Sequence, residues 1–365
     1  MTVRRVSRWL ALGLSLPLLL LLGSMTSPDS HAGYVVRQAW FQAEMLWGRV
    51  PLEQARHSDR FDEEQLARFD LLPEIQAFGA SLGLAATANY TTINPTWDRT
   101  IYNLSASDPL AFRPVRWRFP IVGSVPYLGY FRPEDAQRKQ RLLAAQGYDV
   151  YVRTAGAYST LGWFEDPLLP HMLTWPEGTL ANTIFHELAH ATLWIPGSVR
   201  FNESYANFVG NEAELRFLVA RHGEDSEEVQ RLLDRRRDRD AYLQLLHEVY
   251  VTLDHLYRDP DLDPGTKLRE KDLILAALPT RLAEQGLSNP EPWLRAARRG
   301  PWNNARLHQF RTYNDSHVYF AALLHQEGGD LAAFIERLGE VTHGAADPYA
   351  ALKDHVGDNW LAEVP

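Results

Sequence analysis

Residues 180–194 read LANTIFHELAHATLW, and within them His186-Glu187-Leu188-Ala189-His190 form the string HExxH. On a helix, residues four apart lie one above the other on the same face. Two imidazole nitrogens can then reach one metal ion, with Glu187 beside them to take a proton from a water at the metal. A short string in a chain with 13 histidines can also arise by chance, or mark a buried histidine pair with no metal, so the helical context has to carry weight. Leu180, Ile184, Leu188 and Ala191 form an apolar stripe. The histidines stand about 200° around the helix from Ile184 and Leu188. The helix therefore has a core face and a separate histidine face, with Thr179 and Thr183 near the latter.

The 365 residues allow one large domain or two intertwined lobes, with apolar content sufficient for a core. The net charge of −9 counts against a nucleic-acid partner and suits an enzyme. The 11 Trp and 15 Tyr fit a peptide-binding cleft and fit thick aromatic packing equally well. With no cysteine, disulfides, CxxC metal sites and a thiol nucleophile are excluded.

Arg4, Arg5 and Arg8 precede an apolar run from Trp9 to Leu22. The run is short for a membrane span, which needs about 20 residues, and matches the core of a secretory signal. Ser30-His31-Ala32 offers a cleavage site before Gly33; an uncleaved signal anchor is the alternative. Residues 1–32 are thus expected to be a signal peptide or anchor, and 33–365 a single zinc peptidase domain, with a mixed α/β lobe over 33–175 and a helical lobe over 176–365. The expected location is the periplasm or cell envelope, with membrane association through the N-terminal segment. A lipoprotein is ruled out by the missing cysteine.

Tyr34 to Trp47 reads as an apolar helix that packs on the body or lies on a membrane surface, packing being favoured. Residues 64–84 read as helix, Val115 to Phe119 as strand, Ile121 to Phe131 as a Gly/Pro-punctuated aromatic loop, Arg132 to Gly147 as helix and Tyr148 to Val152 as strand. Beyond 176 the chain reads almost wholly as helix, with a solvated face over 231–240. The expected class is α+β, mainly α, with a zincin-like core and a small mixed sheet ahead of the HExxH helix.

A catalytic zinc site has three protein ligands and one open position. A metzincin continuation is absent, because Leu193 and Pro196 stand where its glycine and third histidine belong. After the Pro196-Gly197 break a second helix begins near Asn202, carrying Glu203. Ala206 and Gly210 share its face and would let the two helices approach closely. Asn207 could hydrogen-bond a liganding histidine as an outer partner. Glu212 and Glu214 are alternative ligands. His186, His190 and Glu203 would form a His₂Glu set, which favours Zn²⁺.

Asn202-Glu203-Ser204-Tyr205-Ala206 resembles the glutamate-bearing stretch of thermolysin-like and alanyl-aminopeptidase-like gluzincins, with a shorter interval from the HExxH string. More widely, Gly33-Tyr34, Gln38-Ala39, Phe119 to Gly123, Tyr127 to Phe131, Ala157 to Trp163, Asp166-Pro167, HELAH, FNESYA and Asn303 to Ala305 resemble a bacterial family of predicted (putative) aminopeptidases. That resemblance implies a zinc peptidase acting on peptide substrates, with Glu187 as general base. It also implies an oxyanion donor downstream of the glutamate, for which Tyr313 is the first choice and His317 the second. Ala157, Tyr158 and Ser159 would pair with substrate backbone as an edge strand. Thr160 stands where the amine-binding glutamate of alanyl aminopeptidases would be, leaving Glu165 or Asp166 as substitutes. Asn304, with Asn303, would bind substrate or cap a helix. An envelope endopeptidase with the same site, and a non-catalytic zinc-binding scaffold protein, are the alternatives.

Overall fold

The computed structural model describes residues 30–119, 123–155, 165–310 and 317–357. The apolar N-terminal run lies outside the described residues. The first helix, α1 (His31–Trp47), starts where Ser30 accepts a hydrogen bond from the Gly33 amide at 3.0 Å. Phe41 and Met45, one turn apart, seat it on the body. Strand β1 (Val50–Pro51) pairs with β2 (Thr92–Ile93), and α2 (Leu52–Ala55) and α3 (Glu63–Ser81) lie between them in the chain. A capping box opens α3. Asp62 accepts from the Gln65 amide at 2.8 Å and its own amide donates to the Gln65 side chain at 3.1 Å.

Then follow β3 (Ile101–Ser107), β4 (Trp117–Phe119), β5 (Gly123–Val125), β6 (Leu128–Tyr130), α4 (Pro133–Ala145) and β7 (Asp149–Ala155). The expected mixed sheet is instead antiparallel at every ladder. β3 lies between β6 and β7 and runs against both. β6 and β7 are parallel to each other and joined through α4, so this is a split β-α-β unit with the earlier strand inserted between its arms. The only parallel pairing among the described residues is the single bridge Ile93–Leu168. Residues 121–131, read as a loop, contain β5 and β6. Their ladder partners β4 and β3 outweigh the local signal of glycine and proline.

A 3₁₀ turn (Pro170–Thr174) leads into α5 (Glu177–Thr192), the HExxH helix. The rest is helical: α6 (Val199–His222), α7 (Glu227–Arg258), α8 (Pro264–Ala276), α9 (Leu278–Ala283), α10 (Pro290–Arg298), α11 (Asn304–Leu307), α12 (His317–Gln326), α13 (Leu331–Thr342) and α14 (Pro348–Val356). The chain is thus α+β and mainly helical. No helix among the described residues is long and apolar enough to cross a membrane.

Three apolar cores organise these elements. The largest joins Met45, Ile75, Ile184, Val209, Phe320 and Phe334, so it draws on both sides of residue 175. A second lies among α7 to α11, and a third lies between the three-stranded sheet and α4. Helix α5 sits in the first core through Leu180, Ala181, Ile184, Phe185, Leu188 and Ala189. Ala191, expected on this stripe, is exposed, because the helix ends one residue later and its packing partners stop short of the last turn.

Candidate metal centre

Helix α5 carries His186 and His190 on the side away from its core face, and the chain must reverse to bring a third ligand to them. Helix α5 ends at Thr192, and Gly197, at φ +81°, supplies a backbone conformation that favours glycine. Asn202 then locks the turn. The Ile195 amide donates to Asn202 Oδ1 at 2.9 Å, and Asn202 Nδ2 donates to the Ile195 carbonyl at 2.9 Å. With both polar atoms used, Asn202 is fully buried, and the next residue is Glu203. Helix α6 begins at Val199, three residues ahead of the expected start.

The close helix approach expected from Ala206 and Gly210 is present. Ala206 is fully buried, and a Cβ at Gly210 would stand 3.1 Å from the Asn182 carbonyl oxygen and 3.4 Å from the His186 Cβ. The two backbones therefore nearly touch beside the first histidine.

Across this contact, His186 Nε2 and His190 Nε2 are 3.1 Å apart. Glu203 Oε2 lies 3.6 Å from His186 Nε2, and Oε1 lies 3.6 Å from His190 Nε2. Ligands about 2.0–2.1 Å from a tetrahedral ion stand about 3.3 Å from one another, so these atoms are spaced to share one ion. Among the described residues these three form the group able to hold a metal. The histidine side chains are 18% and 13% exposed and Glu203 is 42% exposed, which leaves one side of the triangle open to solvent.

The electrostatics suit a cation. Burial, assisted by the neighbouring His186, pushes the His190 pKa down to about 4, so the ring is neutral and its nitrogen lone pair is available near pH 7. Burial raises the Glu203 carboxyl, but the two imidazoles outweigh it and hold the group below its usual range, hence ionised. Trp194 sets its ring against His190 at 5.5 Å. His190 Nδ1 has no hydrogen-bond partner among the described residues, and Asn207 does not take that place. The Asn207 side chain donates to the Glu203 backbone carbonyl at 2.7 Å, because a residue four positions on reaches its own helix more easily than the neighbouring one. Glu214 is no ligand either. It is buried, paired with Arg235 at 2.6 Å and bonded by Asn182 at 2.9 Å. Glu212 faces Arg216.

Two phenols near these groups escaped the reading of the sequence. Tyr90 is the one non-glycine residue with positive φ (61°) among those described, and its ring is wholly buried. Burial raises its pKa well above the usual value, with the Glu187 and Asp166 carboxylates adding to the effect; its hydroxyl has no partner among the described residues. Its amide donates to the Asp166 carbonyl at 2.8 Å, and the Asp166 amide donates to Asn89 Oδ1 at 3.0 Å. Asp166, itself buried, is thus part of a joint between two chain segments. Nothing in the string Ala88-Asn89-Tyr90 signals a left-handed residue. Tyr127, the residue just before β6, is half exposed. Burial raises its pKa, with the Glu203 carboxylate adding to the rise and Arg153 opposing it, so the phenol lies in the field of the metal group.

Other expected residues fall elsewhere. Asn304 is fully buried and does not bind substrate. It accepts from the Tyr257 hydroxyl at 2.8 Å and donates to the Asp108 carbonyl at 3.0 Å, which consumes its amide in joining the second core to the sheet. Asn303 caps α11 by accepting from the Arg306 amide at 3.0 Å. His317 packs its ring on Phe208, and the charges near it are those of Arg239, Asp240 and Arg236 rather than Glu203. Glu165 is exposed, and its carbonyl accepts from Arg49 at 3.0 Å. Ala157, Tyr158, Ser159 and Tyr313 lie outside the described residues; β7, an edge strand, ends at Ala155 just before the first three.

A family model described as putative aminopeptidase matches residues 33–348. No curated protein and no solved structure matches the chain.

Proposed function

The chain belongs to the putative aminopeptidase family, and from that premise we propose that it is an exported zinc-dependent peptidase of gluzincin type, removing residues from the free amino end of peptides. The observation that carries this reading is the triangle of His186, His190 and Glu203 on two closely packed helices, with Glu187 in the same turn as His186.

His186, His190 and Glu203 would hold the Zn²⁺ ion, which when bound would supply Lewis acidity to the scissile carbonyl and the attacking water. Glu187 accepts the proton of the attacking water and returns it to the leaving amine. The open side of the triangle is where the substrate carbonyl enters. Two phenols are candidates to donate to the oxyanion that develops there: Tyr313, on the resemblance, and Tyr127, which burial and the Glu203 charge keep protonated. Substrate backbone pairs along the edge strand β7; the resemblance gives the same role to Ala157, Tyr158 and Ser159, which lie outside the described residues.

Aminoacyl fluorogenic substrates with a free amine, compared with amine-blocked peptides, with and without a chelator, test this function. Hydrolysis of free-amine substrates alone, lost with chelator and restored by Zn²⁺, is the expected result. Cleavage of blocked peptides would replace the exopeptidase reading by an endopeptidase one. Zinc binding without any hydrolysis would overturn the enzymatic reading itself.

A further inference from the structure

Helix α1 turns one face to the body and another to solvent, and the two differ from an ordinary surface helix. At 100° per residue, Tyr34, Phe41 and Met45 fall within about 40° of one another and face the interior. The opposite sector, about 140° wide on the same wheel, carries Val35, Val36, Ala39, Trp40, Ala43 and Trp47, while Leu46, toward one side of it, packs against the body. No polar side chain falls inside it. Val35 is 42% exposed, Trp40 58% and Trp47 81%. The charges that flank this sector are turned to the body: Arg37 pairs with Asp135 at 3.0 Å and Glu44 with Arg99 at 3.3 Å. An exposed apolar stripe with two tryptophans, seven residues apart and nearly in line, marks a surface that takes a partner.

The chain ahead of the helix says which partner. The apolar run Trp9 to Leu22, preceded by Arg4, Arg5 and Arg8, ends eight residues before α1 begins. A linker of that length spans at most about 30 Å, so a run lodged in a bilayer keeps α1 at the headgroup layer. Tryptophan prefers that layer, where its ring is apolar and its N–H stays wet. A helix of this length is about 25 Å long and lies flat on such a surface. We propose that the outward face of α1 seats this protein on a lipid bilayer, with Trp40 and Trp47 at headgroup depth. Because the stripe holds no cation, apolar area drives the contact, and anionic lipid is not required. The inference is independent of the peptidase reading, since it uses no residue of the metal group.

The test uses the full chain and the variant Trp40→Gln/Trp47→Gln, both reconstituted with zwitterionic vesicles carrying a fluorescence quencher at headgroup depth. Thermal unfolding of the two should coincide, because both positions are exposed. The expected result is strong lipid quenching of the wild type, equal with anionic vesicles, and loss of more than half of it in the variant. Equal quenching of both proteins would overturn the proposal. So would either of two findings made without lipid: protection of these tryptophans from a soluble quencher, which would mean the apolar run covers them, or a wild-type dimer that the variant turns into a monomer.

Discussion

Glu187→Gln keeps the size of the side chain and removes its basicity. Turnover should fall by about 10²- to 10⁴-fold, the usual worth of a positioned base, while the metal content measured on the purified variant stays at the wild-type value. Unchanged hydrolysis would remove Glu187 from the mechanism. His190 makes a second prediction, about pH. Its ordinary pKa of 6.5 is lowered to about 4 in the fold, so between these values the unfolded chain binds the proton and the folded one does not. Stability of the metal-free protein therefore falls as pH drops from about 6.5 to about 4, and levels off for this group below that. Glu203, lowered as well, withdraws its contribution as pH falls through its own folded pKa. Thermal midpoints of the metal-free protein across that range check the sign; a flat profile would contradict it. These three residues were legible because a motif is local: the 3.6-residue period alone puts the two histidines on one face. Tyr90 and Tyr127 were not, since what distinguishes them is the field of charges from distant segments.

Helices α5 and α6 act as a unit, and the turn between them sets where Glu203 arrives. Asn202→Ala strands the Ile195 amide and carbonyl, at about 1–3 kcal/mol for each buried group left unpaired. The variant should unfold at lower denaturant and bind zinc more weakly, as read by chelator competition. Gly210→Val places a branched side chain against the Asn182 carbonyl, a backbone atom that cannot move aside. Overpacking of this kind costs about 1–3 kcal/mol, and separation of the helices should again lower zinc affinity. A wild-type affinity in both variants would show that helix spacing does not position the ligands. The close approach could be read from Ala206 and Gly210, because small residues at helical spacing have few other uses. The clamp by Asn202 could not, because its partner Ile195 belongs to a loop whose path depends on Gly197. The stretch 123–130 reads as loop for a related reason: short strands such as β5 and β6 owe their conformation to the ladders that flank them.

On the scale of the whole molecule, the second core is tied to the sheet through Lys271. Its ammonium lies 2.6 Å from the Asp149 carboxylate and 2.9 Å from the Pro109 carbonyl, with the lysine side chain almost fully buried. Lys271→Met leaves Asp149 without its cation, and losing one partner of a buried pair costs about 3–5 kcal/mol. Equilibrium unfolding should register that loss while zinc stoichiometry is unchanged; a silent substitution would show that the tie is dispensable. Asn304 belongs to the same joint, which is why a residue that looked like a substrate contact is sealed inside. Local periodicity and residue chemistry were enough for the mainly helical class, the HExxH helix, the reversal at Pro196-Gly197 and the placing of Glu203 beside the two histidines. Tertiary structure alone decided that β3 inserts between β6 and β7, that Asn304 and His317 stand apart from the metal group, that Tyr90 lies in the field of Glu187 and Tyr127 in that of Glu203, and which face of α1 stays bare. The first set rests on interactions within a few turns of chain, which a sequence writes out directly. The second depends on which distant surfaces exclude water together, and that is a property of the assembled fold.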